Sequence, residues 1–277
     1  MGKIIWLASY PKSGNTWLRT FLHNLLRNPP EGYDINKITD FSFSDSTNRI
    51  FEPFLKKPWN EWTVGEVANT RWHAQRYVCS RQMDDTFVKT HNALTEYLDK
   101  PLIYPEFTAG AIYIIRNPLD VCISLAHHYA VDLDEAITIL NNPQTGTVND
   151  ERIVYEIHSS WSFHVNSWTA VPEPGKLVIR YEDLLDQPRA TFSKVTKFLG
   201  LKPTPDRLIR AIKNSSFEKL RGQEDKTGFN ERPAKAQKFF RVGKAGQWRT
   251  TLNQEQIDRV VEAHKEQMKR FNYWPLR

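Results

Sequence analysis

The chain has 277 residues, a quarter of them charged, and its net charge of +6 suits an anionic ligand, a nucleic acid or an acidic surface without choosing among them. Its length allows one large core, so a single domain over residues 1–277 is expected. Two cysteines, Cys79 and Cys122, exclude a disulfide framework and lack zinc-site spacing; they read as small buried residues of a protein in a reducing compartment.

The apolar run at residues 4–9 reads as a strand and is too short, and too soon broken by Tyr10 and Pro11, to be a signal peptide or a membrane span. No later stretch is long enough to span, so a soluble, cytoplasmic protein is expected. The turn "YPKSGNTW" follows, then a helix over residues 16–26 whose Trp17, Leu18, Phe21, Leu22, Leu25 and Leu26 share one face. Residues 28–78 fit no regular element well and carry Trp59, Trp62 and Trp72 among prolines and charges. Short β-branched runs predict strands at 86–89, 111–115 and 176–179. Helical patterns fall at 119–129, 152–169, 190–199 and 254–271. The second of these five helices has Asn117 as N-cap, Pro118 at its first position and Asp120 facing its dipole. The stretches 141–150 and 222–247 again read as loops. Strands alternating with helices imply an α/β fold, a central mainly parallel sheet flanked by helices in three layers.

Ligands of such sheets bind beyond the carboxyl ends of the strands. Those ends deliver Lys12, Ser13, Gly14, Asn15 and Thr16; then Lys89 and His91; then Arg116; then Arg180 and Tyr181. The first loop is an anion cradle on physical grounds, because unpaired helix amides, a positive dipole end, a close-approach glycine and a lysine meet there. Its lysine precedes the glycine, and no G-x-x-x-x-G-K-[ST] stretch exists, which weighs against a nucleoside triphosphate with magnesium. No strand ends in a clear metal-binding aspartate. His91, two residues from Lys89, suits a general base. His127, His128, His158 and His164 read as structural, packing or surface residues.

"YPKSGNTW", "FVKTH", "IIRNPLDVCIS", "YEDL", "NSSF" and "RVGKAGQWR" occur in this order between Tyr10 and Arg249. As an ordered set they resemble the sulfotransferases that use 3′-phosphoadenosine 5′-phosphosulfate (PAPS), in particular the soluble cytosolic-type branch with its bacterial members. The resemblance implies a P-loop-like fold and sulfuryl transfer from PAPS to a hydroxyl or amine of a small-molecule acceptor. The product would be adenosine 3′,5′-bisphosphate (PAP), and no metal is expected. It implies that Lys12, Ser13, Gly14, Asn15 and Thr16 hold the 5′-phosphosulfate, with Lys12 at the leaving oxygen, and that Trp17 packs on the adenine. Arg116, Ser124, Arg241, Val242 and Gly243 would form the 3′-phosphate side, and Tyr181 and Ser215–Phe217 the adenosine pocket. His91 would be the base, with Lys89 positioning the sulfuryl group. Trp17 also suits a purely apolar packing role.

The late motif departs from the family pattern: Val242 replaces a second basic residue, with Lys244 a possible substitute, and Gln247 replaces an acid. The segment "RTTLNQEQID" lacks the dimerisation motif of animal members, which leaves oligomeric state open. The acceptor pocket is expected from 28–78, 141–150 and 222–240, with Trp59, Trp62, Trp72, Phe229, Phe239 and Phe240 offering surface. A nucleotide kinase-like enzyme is the nearest rival and a nucleic-acid-binding protein a further one, although the cations lie at strand ends and form no stripe interleaved with aromatics.

Overall fold

The computed structural model describes residues 1–171, 175–233 and 236–275. In chain order its strands are β1 (Ile4–Ser9), β2 (Phe43–Ser44), β3 (Thr86–Thr90), β4 (Glu96–Tyr97), β5 (Lys100–Pro101), β6 (Thr108–Ile115) and β7 (Lys176–Arg180). The first helices are α1 (Asn15–Arg27), α2 (Val64–Ser80), α3 (Pro118–Tyr129), α4 (Leu133–Asn141) and α5 (Trp161–Thr169). They are followed by α6 (Tyr181–Asp186), α7 (Pro188–Phe198), α8 (Pro205–Asn214), α9 (Phe217–Thr227), α10 (Trp248–Thr251) and α11 (Gln254–Arg270).

Side-chain alternation along the central strands builds three layers. Ile4, Trp6 and Ala8 of β1 and Ala111, Tyr113 and Ile115 of β6 face a core closed by α2, α3, α4, α5 and α11. Leu7, Ile112 and Ile114 point the other way, into a core closed by α1, α7 and α8. A strand covered on both faces must be apolar at successive positions, which is why these runs are nearly continuous. The order is β2-β3-β1-β6-β7, with every neighbouring pair parallel, while β4 and β5 form a separate antiparallel pair.

The helix expected over 152–169 begins only at Trp161, where Ser160 accepts from the Phe163 amide. Residues 153 and 157 instead bridge to Thr47 and Gly146, so tertiary pairing claims their backbone. The stretch 28–78, expected to be irregular, contains β2 and most of α2. That helix starts at a Thr63–Glu66 capping box hidden among tryptophans and charges. The stretch 222–247 begins inside α9, and its Ala234 and Lys235 lie outside the described residues, as do the last two of the chain. Both cysteines are buried and unpaired. No described helix is long and apolar enough to cross a membrane.

Candidate active site

The carboxyl ends of β1, β3, β6 and β7 open into one cavity of about 1010 Å³. Between β1 and α1 the chain turns through two left-handed residues, Lys12 at φ 68° and Gly14 at φ 106°. At Gly14 the conformation and the space agree: a Cβ there would lie 2.8 Å from the Tyr181 ring. Lys12 has no such excuse, and its conformation is held by its surroundings. The Asn15 side chain donates to the Leu7 carbonyl (2.7 Å) and the Ser9 hydroxyl (3.3 Å), pinning the turn to β1.

The Lys12 ammonium lies 3.3 Å from Nδ1 of His128 and 4.3 Å from the Phe239 ring centroid. Burial, with the Arg116 and Lys89 charges nearby, pushes its pKa down to about 8. Burial and the same two lysines keep His128 neutral, its pKa down at about 3. It therefore accepts from Lys12, a role the sequence did not disclose for a residue read as structural.

His91 follows β3. Its Nδ1 is 2.8 Å from the Ser9 carbonyl oxygen, which can only accept, so Nδ1 carries the proton and Nε2 the lone pair. Burial and Lys89 hold its pKa well below the ordinary value, so the ring is neutral at pH 7. Lys89 lines the same wall.

On the opposite flank, Arg116 donates to the carbonyls of Lys12 (3.0 Å) and Lys244 (3.4 Å) and lies over the Tyr181 ring at 4.4 Å. Its Nε and the Nε1 of Trp17 are buried without partners among the described residues. Both residues line the cavity, with Thr16, Ser124, Tyr181 and Phe217. Trp17 also packs edge-on against Tyr181 and Phe192, so it serves the core and the cavity together. Arg241, Val242 and Gly243 complete this flank. Gly243, at φ 65°, packs so closely on Phe217 that a Cβ would come within 2.3 Å of it.

Ser13, Ser215 and Ser216, and the strand-end Arg180, are not in the cavity wall. Ser13 is fully buried, and Ser215 turns its hydroxyl back to the carbonyls of Ala211 (2.9 Å) and Ile212 (3.2 Å). On the acceptor side, Phe239 and Phe240 line the cavity, but Trp59, Trp62, Trp72 and Phe229 do not. Trp62 belongs to the core and Trp59 lies on the surface. Conversely, Glu156 and His158 do line it, although His158 had read as packing or surface.

Two buried carboxylates hold the late loop across the cavity. Glu224 accepts from the amides of Phe239 (2.7 Å) and Phe240 (2.8 Å), and Asp120 from those of Gly246 (2.6 Å) and Trp248 (3.2 Å). Asp120, read as a dipole partner for α3, is thus also the anchor of a distant loop. The departures in that loop are accommodated: Gln247 accepts from Arg241 at 2.8 Å, and Lys244 contributes its carbonyl to Arg116.

Residues 3–272 match the sulfotransferase domain family. Among curated proteins, the chain is 27% identical over 271 residues to sulfotransferase 1E1 of Mus musculus, covering 95% of this chain and 82% of that protein. It is 24% identical over 271 residues to 3-alpha-hydroxysteroid sulfotransferase of Cavia porcellus, covering 94% and 82%. Among solved structures, mouse sulfotransferase SULT7A1 complexed with PAP has the same fold, with a TM-score of 0.64 at 20% identity and coverage of 98% and 85%. Retinol dehydratase in complex with androsterone and PAP superposes at 0.67 with 19% identity, covering 96% and 80%.

Proposed function

Since the chain belongs to the sulfotransferase domain family, whose members move a sulfuryl group from PAPS to small-molecule acceptors, we propose that its cavity binds PAPS along β1, β6 and the late loop and uses His91 as the base. The observation that carries the reading is the pairing of a lysine-bearing turn with an imidazole whose lone pair is fixed by the Ser9 carbonyl, both in one cavity. The residues suit an anionic nucleotide: Arg116 Nε and Trp17 Nε1 are buried donors lacking partners, and Lys12, Lys89, Arg116 and Arg241 supply the charge.

In this reading the acceptor oxygen attacks sulfur as the bond from sulfur to the phosphate oxygen breaks. His91 Nε2 takes the acceptor proton, and Lys12 stabilises the charge gathering on the departing phosphate. His128 and Phe239 keep the Lys12 ammonium within the cavity, and Lys89 orients the transferred group. Arg116 and Arg241, with Ser124, receive the 3′-phosphate, and Trp17, Tyr181 and Phe217 the adenine. The androsterone and retinol found with structural neighbours are consistent with a small-molecule acceptor.

A thermal-shift measurement tests the donor assignment: PAP without metal should stabilise the protein, whereas ATP with magnesium should stabilise it less. Stabilisation by ATP–magnesium alone would favour the kinase-like rival. A salt-sensitive shift with RNA or DNA and no response to PAP would favour nucleic-acid binding.

A further inference from the structure

A second imidazole faces the cavity that holds His91. His158, in the segment before α5, is 2% exposed and lies at a ring-centroid distance of 6.3 Å from His91, the two rings nearly perpendicular at 88°. Its Nε2 is 3.1 Å from Oε2 of Glu156, a carboxylate only 4% exposed. Burial alone would raise the carboxyl pKa, but the His158 hydrogen bond and the Lys89 charge hold it well below the usual range. An ionised carboxylate only accepts, so His158 Nε2 donates to Glu156, and Nδ1 is the ring nitrogen left over for another polar partner. That nitrogen has no hydrogen-bond partner among the described residues.

The backbone beneath the pair is fixed from several sides. The Glu156 amide donates to the Thr147 hydroxyl (2.9 Å), the Ile157 amide to Asn92 Oδ1 (2.8 Å) and the His158 amide to the Thr145 carbonyl (2.9 Å). Asn92 is in turn held by the buried Asp45 at 3.0 Å. A carboxylate that fixes an imidazole's orientation and leaves its other nitrogen unclaimed is an arrangement suited to holding a polar group. An acceptor apolar around its reacting hydroxyl would bury Nδ1 unpaired, which is unfavourable; a neighbouring hydroxyl would satisfy it.

We infer that His158, oriented by Glu156, is an acceptor-binding group whose Nδ1 hydrogen-bonds to a second hydroxyl adjacent to the one being sulfated. The site therefore favours vicinal diols over isolated hydroxyls. This rests on the sulfotransferase reading of the cavity. The attacking oxygen forms its bond to sulfur and gives its proton to His91 Nε2, while PAP departs with the electron pair of the broken sulfur–oxygen bond. The second hydroxyl keeps its proton and only hydrogen-bonds to His158 Nδ1.

The test compares trans-1,2-cyclohexanediol with cyclohexanol, and catechol with phenol, as acceptors of label from sulfur-labelled PAPS. PAP affinity is measured by calorimetry on every protein. Wild type should show kcat/KM for each diol about tenfold or more above its mono-ol, well beyond the roughly twofold statistical advantage of two equivalent hydroxyls. In His158→Phe the ratio should fall to about that statistical value, and in Glu156→Gln to between the two, with PAP affinity reporting an intact fold. A statistical ratio in wild type, or a preference that persists in His158→Phe, overturns the inference. So does a PAP complex that neither binds nor sulfates either diol. Failure of wild type to bind PAP would instead overturn the sulfotransferase reading itself.

Discussion

The pKa of Lys12 links donor affinity to pH in a way that can be worked out in advance. With its pKa at about 8, Lys12 in the free protein is about nine-tenths charged at pH 7 and about one-tenth charged at pH 9. The phosphate groups of PAP keep their charge across this window. If the bound anion requires the ammonium, each binding event at the upper end must first recover a proton, and the dissociation constant should rise about tenfold from pH 7 to pH 9. The sign follows from the direction of the shift: a lysine with an ordinary pKa near 10.4 would stay charged and leave affinity flat. Titration calorimetry of PAP at pH 7, 8 and 9, in buffers of different ionisation enthalpy, reads both the affinity and the proton uptake. Lys12→Ala should bind weakly with no uptake, and Lys12→Arg should bind with the pH dependence removed. A flat profile in wild type, or an unchanged slope in Lys12→Ala, would refute the assignment of Lys12 to the anion.

His91→Ala should lower sulfuryl transfer by roughly 10² to 10⁴ while PAP affinity changes little, since the ring faces the acceptor; equal loss of donor affinity would make it a donor-binding residue. Because His91 is neutral well below pH 6.5, the acid limb of kcat should lie below that of an ordinary imidazole, and a limb centred near 6.5 would contradict the burial seen here. Gly243→Ala should weaken PAP binding, because the new methyl must displace Phe217 and occupy a left-handed position; unchanged affinity would separate Phe217 from the nucleotide. Phe192→Ala, at a fully buried ring stacked 3.8 Å from Phe21, should cost about 3–5 kcal/mol by denaturant unfolding, and a loss under about 1 kcal/mol would show that the core refills.

Local chemistry made much of this molecule legible in the sequence. The central strands announce themselves because both faces are buried, α1 because its apolar face repeats at helical spacing, and α3 because its cap is encoded in adjacent residues. The same locality exposed the cradle: Lys12, Gly14 and Thr16 adjoin a strand end, so their place follows from the strand. Lys89, near the end of its strand, and His91 and Arg116, the first residues past theirs, were likewise findable.

Residues whose partners are remote in sequence were not legible. Ser215 fits a motif, yet its hydroxyl is taken by its own helix, and the tryptophans of 59–72 suggest a binding surface although the cavity is lined elsewhere. Asp120 satisfies a local rule at the start of α3, and only packing reveals the amides of Gly246 and Trp248 at its two carboxylate oxygens. His128, Glu156 and His158 gain meaning only when β1, β3 and the segment before α5 converge. The sequence by itself thus determined the three layers and the anion-binding edge, because periodicity and strand ends are local properties. The tertiary structure alone decided which buried polar groups find partners and which are left facing the cavity, because hydrogen bonding joins residues without regard to their separation along the chain.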